Sequence, residues 1–426
     1  MATDYKRRVM DDIIDKRLQN KGAVLLEGAK WCGKTTTCEQ HAASILYMSD
    51  PDRMRQNLQL ADISPRSLLQ GAEPRLLDEW QIAPKLWDAI RFEVDHRDGF
   101  GHFLLTGSSV PADTADRQHS GTGRFAWLKM RPMSLYESGE STGEVSLSAL
   151  FGGPEPQIFA ENRLTLDAIT FLICRGGWPQ ATKLTGEDAL IQSFDYVDAV
   201  AREDISRADG VRRDETRARL LLRSYARHQG TSASYMTIRE DIISNDASDL
   251  SEDTIISYVK ALKRIFVIED CAAWNPNLRS RTAIRTSDTR YFVDPSIATA
   301  ALRIGPADLI NDLDTCGLFF ETMCMRDLRV FADHLGGEVR HFRTKQGLEC
   351  DAVVHLKNGS YGLIEIKLGG DKLIEEGAKA VKTIADRIDT SRMKAPSFLM
   401  VLTGTSPYAF RREDGVYVVP IGCLRP

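Results

Sequence analysis

No apolar run in this chain approaches the roughly 18 residues that a membrane-spanning helix needs, so a membrane protein of that kind is not expected. Residues 1–8 lack the apolar core of a signal peptide. The eight cysteines (Cys32, Cys38, Cys174, Cys271, Cys316, Cys324, Cys350 and Cys423) form no CxxC pair and no zinc-ligand spacing. That excludes a disulfide framework and a zinc ribbon, and free thiols in a reducing cytoplasm are expected. An excess of positive charge is also lacking. The 55 Lys and Arg are outnumbered by 60 Asp and Glu, giving a net charge of −5. This argues against a uniformly basic nucleic-acid binder and leaves room only for local patches. There is no internal repeat and no long low-complexity tract.

What is present suits a multidomain globular protein. A chain of 426 residues is too long for one ordinary core, so two or three domains are expected. Hydrophobic residues at 42% and charged residues at 27% fit that class. Composition and pattern divide the chain into residues 1–157, 158–312 and 313–426.

Residues 28–35 read Gly-Ala-Lys-Trp-Cys-Gly-Lys-Thr, a complete G-x-x-x-x-G-K-[ST] phosphate-binding loop. The apolar run 23–26 before it suits a buried strand, and residues 36–43 suit a helix. In that setting the backbone N–H groups of Gly28, Ala29, Lys30, Trp31, Cys32, Gly33 and Thr36 and the positive end of the helix converge on phosphate oxygens. Lys34 would reach the terminal phosphates of ATP, and the Thr35 hydroxyl would bind Mg²⁺. Asp78 ends the apolar stretch 75–77 and is the natural second partner for Mg²⁺, while Glu79 would polarise the attacking water. Thr106 or Ser108, after the strand-like 102–105, would sense the terminal phosphate, or would form an ordinary polar turn. Arg124, presented by Gly121-Thr122-Gly123, would neutralise transition-state charge, including on a neighbouring subunit; the alternative is a structural salt bridge. Short apolar runs alternating with helical stretches predict an α/β domain with a parallel sheet.

Residues 137–157, rich in Gly, Ser, Glu and Pro, read as a linker or an elaborated loop. The region to about 310 is mainly helical. Ser251 is an N-cap candidate for an amphipathic helix over 255–268, preceded by a short helix over 236–243. With strand-like 271–274 and 291–293 following, the pattern resembles a winged helix. Arginines 202, 207, 212, 213, 217, 219, 223 and 227 alternate with acids, the mark of a solvated, ion-paired face. Arg279, Arg281, Arg285 and Arg290, with Lys260, Lys263 and Arg264, are cleaner candidates for DNA phosphate contacts. Protein docking or homo-oligomerisation is an equally open use of the same fold.

In the last region a helix, strands near 339–343, 350–356 and 361–367, and a helix from Lys372 are expected. Period-two alternation puts Glu365 and Lys367 on one strand face. Asp351 and Glu365, completed by Glu321 from the preceding helix, would hold a divalent metal, and Lys367 would orient or deprotonate a water for phosphodiester hydrolysis; the alternative is a surface ion pair between Glu365 and Lys367.

The phosphate loop, Asp78-Glu79, residues 105–108, Gly123-Arg124 and residues 133–138 resemble a family of prokaryotic AAA+-type P-loop ATPases that carry a carboxyl-terminal domain of unknown function. Further matches are Arg175-Gly176-Gly177-Trp178-Pro179, Tyr291-Phe292-Val293-Asp294 and residues 317–367. The resemblance implies ATP, Mg²⁺, and a finger role for Arg124. The arrangement of Asp351, Glu365, Lys367 and Glu321 resembles the restriction-endonuclease-like fold and implies a DNA-directed module, cleaving or degenerate.

Overall fold

The computed structural model describes residues 5–109, 121–153, 157–246, 250–276 and 286–426. After a first helix, Val9–Leu18, the chain builds a sheet from β1 (Ala23–Gly28), β2 (Ser44–Tyr47), β3 (Arg75–Asp78), β4 (Phe103–Gly107) and β5 (Phe125–Met130). Their order is β2-β3-β4-β1-β5, and every neighbouring pair is parallel. The inner strands β3, β4 and β1 are apolar runs because both faces are covered, whereas the edge strands β2 and β5 expose residues along one face. Successive residues alternate faces: Leu25, Leu77 and Leu105 enter one core with Trp80 and Trp87, while Val24, Leu26, Leu76 and Leu104 enter another. The second core continues through Trp178, Tyr225 and Tyr291 to Phe320, Ile364 and Met400. The three regions therefore share one apolar interior.

The described part of 137–157, expected as a linker or loop, carries short elements of its own, among them helix Leu147–Phe151. Ser134 and Glu137 cap the short helix Leu135–Ser138 reciprocally, and β6 (Val145–Ser146) pairs with a strand at the far end of the chain. β7 (Phe159–Glu161) follows, then helices Leu166–Arg175 and Gly186–Ala199, a π-helical turn Val200–Asp204, and helices Glu215–Arg227, Tyr235–Asp246 and Glu252–Arg264. Ser251 caps the last of these by accepting the Thr254 N–H. That helix stops four residues short of the expected 268. Phe266 takes a left-handed turn (φ 59°), which frees Ile268 to bridge Phe292, and Cys271 pairs with Thr289 just beyond.

Helix Pro295–Leu302 leads to the long helix Leu313–His334, most of which is buried. Then come β8 (Gly337–Arg343), β9 (Glu349–Leu356), β10 (Tyr361–Lys367), helix Asp371–Arg387, β11 (Phe398–Thr403), β12 (Tyr408–Arg411), β13 (Tyr417–Pro420) and β14 (Leu424–Arg425), the partner of β6. The sheet order is β7-β12-β13-β11-β10-β9-β8. It is mixed: β8, β9 and β10 form an antiparallel meander, and β10, β11 and β13 run parallel. Its edge strand β7 comes from upstream of the long helix, across the boundary the composition suggested. No helix among the described residues is long and apolar enough to cross a membrane.

Candidate functional site

β1 delivers Gly28 to the carboxyl edge of the parallel sheet, and the loop turns there into helix Lys34–His41. Gly33 caps that helix at φ 101°, a conformation that glycine adopts without steric cost. The Lys34 ammonium donates to the Ala29 carbonyl at 2.8 Å, closing over the loop. The Thr35 hydroxyl donates to Asp78 Oδ1 at 2.6 Å. Two hard oxygen donors at the phosphate loop fit Mg²⁺.

Glu79 is a non-glycine residue in the left-handed region (φ 55°), a strained state that the neighbours must enforce. Its N–H donates to Thr106 Oγ1 at 3.1 Å. Its carboxylate accepts from Ser108 Oγ at 3.0 Å and from the Gln81 amide. A cavity of about 740 Å³ opens onto Lys30, Trp31, Gly33, Lys34, Thr35, Thr36, Glu79 and Ser108. That volume lies within the ordinary range for small-molecule sites.

Of the two hydroxyl candidates for the terminal phosphate, only Ser108 reaches the cavity. Thr106 is fully buried, and its hydroxyl, which donates to Asp78 Oδ1 at 2.6 Å, is committed between Asp78 and Glu79. It holds the two carboxylate-bearing positions together rather than touching a ligand. Ala29 and Cys32 are buried and contribute backbone only; the Cys32 thiol points at the Met130 carbonyl.

Arg124 is also misplaced for its expected role within one chain. It precedes β5, whose Phe125 aligns with Ala23 and whose Met130 aligns with Gly28. The phosphate loop therefore lies about 17 Å further along the strand, and the Arg124 guanidinium is bound to Asp95 at 2.7 Å. That placement follows from a strand that begins at Phe125 and runs parallel to β1, neither of which the glycine turn before Arg124 reveals.

Other residues of the cavity carry no local signal. Tyr5 and Lys6 come from the amino-terminal segment, and Pro179, Gln180 and Thr182 from the middle region. Arg8 is buried and clamps the loop: it donates to the Cys32 carbonyl at 2.8 Å and the Arg131 carbonyl at 2.9 Å, and pairs with Glu137 at 3.0 Å. Lys30 pairs with Asp204 of the π-helical turn.

The carboxyl-terminal candidates also meet. The β9–β10 ladder runs to Ala352 and Ile364 and stops there. At that point the Asp351 carboxylate takes the Ile366 N–H at 2.8 Å. Lys367 donates to Glu365 at 2.8 Å and stands 3.9 Å from Asp351. Glu365 is 5% exposed, and its Oε2 lacks a hydrogen-bond partner. Burial and the Asp351 charge push its carboxyl up to about 8 against the pull of Lys367. Burial opposes the charge on Lys367, but Asp351 and Glu365 outweigh it and hold the ammonium above its ordinary value.

Glu321 is engaged elsewhere. The Tyr291 hydroxyl donates to it, and its carboxylate lies against Gly230. Burial, followed by the charge of Asp351, raises its carboxyl well above the usual range. Among the described residues no three His, Cys, Asp or Glu side chains form a ready metal-binding group. Asp351 and Glu365, hard oxygen donors with one oxygen unpartnered, fit a divalent cation as a pair, without Glu321 as the third ligand.

The arginine-rich run is an ion-paired face, as its alternation with acids implies: Arg202–Glu215, Arg207–Glu203, Arg213–Asp209, Arg219–Asp198 and Arg227–Asp241. Among the nucleic-acid candidates, Lys263 and Arg290 pair with Asp270, Arg264 lies 3.8 Å from Asp209, and Lys260 is exposed. Arg279, Arg281 and Arg285 lie outside the described residues. Trp178 and Trp274 are buried core residues.

Three family models match the sequence. Residues 20–139 match an AAA domain, residues 166–308 a domain of unknown function (DUF8612), and residues 316–424 a domain of unknown function (DUF4143). With the phosphate-loop geometry, the first match makes the amino-terminal region a P-loop ATPase domain of the AAA type. No curated protein matches the chain. Among solved structures, the Walker-type ATPase paby2304 of Pyrococcus abyssi is 14% identical over 71% of this chain and 97% of that one, with a TM-score of 0.42. A half-complex from a tetradecameric assembly of Thermococcus gammatolerans McrB AAA+ hexamers with bound McrC is 8% identical over 56% of this chain and 91% of that one, with a TM-score of 0.16. At these scores neither structure defines the fold of this chain.

Proposed function

We propose that this ATPase turns over Mg²⁺–ATP to control a DNA-directed carboxyl-terminal site built on Asp351, Glu365 and Lys367. In the hydrolytic step Lys34 and the loop N–H groups hold the terminal phosphates, with the positive end of helix Lys34–His41 behind them. Thr35 and Asp78 would hold Mg²⁺, which supplies neutralising charge at the phosphates when bound. Glu79, fixed by Ser108 and Gln81, accepts a proton from the attacking water. Turnover does work only because the two nucleotide states favour different conformations.

The DNA-directed half is carried by one observation, the parting of β9 and β10 where Asp351, Glu365 and Lys367 converge. The order around it supports a restriction-endonuclease-like module: long helix, antiparallel three-strand meander, helix Asp371–Arg387, then β11 parallel to β10. A divalent cation on Asp351 and Glu365 would supply Lewis acidity for phosphodiester hydrolysis. Lys367 would bind the phosphate and orient the water. Helices Tyr235–Asp246 and Glu252–Arg264 with the Ile268–Phe292 and Cys271–Thr289 bridges support a winged-helix reading of the middle region.

A second reading, a nucleotide-switched binding module with an inactive nuclease fold, is favoured by the closure of Lys367 onto Glu365. Phosphate release by wild type and Lys34→Ala tests the ATPase step: equal rates would refute it. DNA retention that tracks ATP and survives Asp351→Ala, without cleavage, would select the second reading.

A further inference from the structure

Two motifs singled out in the sequence, Arg175-Gly176-Gly177-Trp178-Pro179 and Tyr291-Phe292-Val293-Asp294, have no part in the chemistry above. The structure brings them together in one buried junction with the ATPase domain and the long helix Leu313–His334. Gly177 donates its N–H to Asp294 Oδ2 at 3.0 Å and accepts the Met133 N–H at 2.6 Å. Trp178 Nε1 donates to Ser296 Oγ at 2.9 Å. Arg326 of the long helix pairs with Asp294 at 2.9 Å and with Asp327 at 2.8 Å, and Asp327 accepts the Leu135 N–H at 2.9 Å. Arg326 and Asp294 are at most 1% exposed.

One end of this junction is a wall of the nucleotide cavity, since Met133, Pro179 and Thr182 line it. The other end is Glu321. Tyr291, three residues before Asp294, donates its hydroxyl to Glu321, which lies five residues before Arg326 on the same helix.

The two glycines leave no slack between these ends. A Cβ at Gly176 would stand 2.4 Å from Asp294 Oδ1, and one at Gly177 would stand 2.1 Å from the Met133 carbonyl and 2.9 Å from Arg326 Nη1. A displacement of the 176–179 turn cannot be taken up by compressing its neighbours, because protein interiors are already close-packed. It must shift Asp294, or Met133, or break the bonds to Arg326.

We propose that the Gly177–Asp294–Arg326 junction couples occupancy of the nucleotide cavity to the Tyr291–Glu321 contact, and so positions Glu321 relative to Asp351 and Lys367. Gly177, Asp294 and Arg326 are positioning residues: none of the three lines the nucleotide cavity. The inference rests on the nucleotide reading of the cavity.

Amide hydrogen exchange of the full chain, with and without a non-hydrolysable ATP analogue and Mg²⁺, tests it alongside a direct binding measurement. Occupancy should change exchange in 288–296 and 317–330 by about fivefold or more, the low end of ordinary coupling energies. Asp294→Asn retains an N-cap side chain but withdraws the charge facing Arg326; it should bind the analogue as wild type does and lose the response in 317–330. Tyr291→Phe, a milder change, should keep the response in 288–296 and weaken it in 317–330. Binding without any change in 317–330, or a full response in both variants, would overturn the junction alone. Absence of binding would overturn the nucleotide reading and the junction with it.

Discussion

Replacing Arg326 by methionine tests the buried junction by stability. The guanidinium, 1% exposed, lies between Asp294 and Asp327, each 0% exposed. Removing one partner of a buried ion pair costs about 3–5 kcal/mol, because the other charge is left uncompensated. Two carboxylates lose their cation here, although Asp294 keeps the Gly177 and Ser296 donors and Asp327 keeps the Leu135 N–H. We expect a loss in the upper half of that range, about 4–5 kcal/mol.

The loss should depend on pH in a definite direction. Burial pushes Asp327 up to about 6 against the pull of Arg326. A carboxyl with a raised folded pKa costs stability as pH climbs from its unfolded value, about 3.9, to its folded one. In wild type that cost stops growing near the folded value; without Arg326 the folded value rises and the cost keeps growing. The gap between variant and wild type should therefore widen from about pH 5.5 to about pH 8. Urea denaturation at both pH values measures it. The control is Arg207→Ala, whose ion pair with Glu203 is exposed (69% and 62%) and should change stability by about 0.5 kcal/mol or less. A loss under about 1 kcal/mol for Arg326→Met, or an identical loss at both pH values, would show that Arg326 does not compensate these buried carboxylates.

Thr106→Val should lower ATP turnover by about a hundredfold with little change in nucleotide affinity, since its hydroxyl ties Asp78 to Glu79; steady-state phosphate release beside a binding titration separates the two. Gly177→Ala should destabilise by about 1–3 kcal/mol or more through its clash with Met133. Gly317→Ala, in open space on the long helix, should stabilise by about 0.5–1 kcal/mol; thermal unfolding measures both. His41 is bound by Asp11 and Asp15, which outweigh burial and raise its pKa. Its contribution is complete below about pH 6.5 and is lost as pH rises through the raised folded value. His41→Gln should flatten that part of the stability profile.

The phosphate loop was legible because strand, glycine turn and helix are contiguous in sequence, and Asp78-Glu79 because both follow an apolar run to the same sheet edge. Arg124 was not, because the glycine turn before it gives no sign that a strand parallel to β1 begins at Phe125. Thr106 and Ser108 are two residues apart in similar settings, and only packing sends one behind Asp78 and the other into the cavity. The meeting of Asp351, Glu365 and Lys367 followed from hairpin spacing and period-two alternation, whereas the capture of Glu321 by Tyr291 required knowing what packs on the long helix. Arg8, Tyr5 and Pro179 reach the nucleotide cavity through long-range contacts that no local pattern announces.

In the proposed function, nucleotide state governs a carboxyl-terminal site acting on DNA. Its most direct test is cleavage of DNA with Mg²⁺ or Mn²⁺, with and without ATP, by wild type, Asp351→Ala and Lys34→Ala. Wild type should cleave in a manner that responds to ATP, Asp351→Ala should lose cleavage, and Lys34→Ala should lose the ATP response. Wild-type cleavage no greater than that of Asp351→Ala, or cleavage indifferent to ATP, would contradict it.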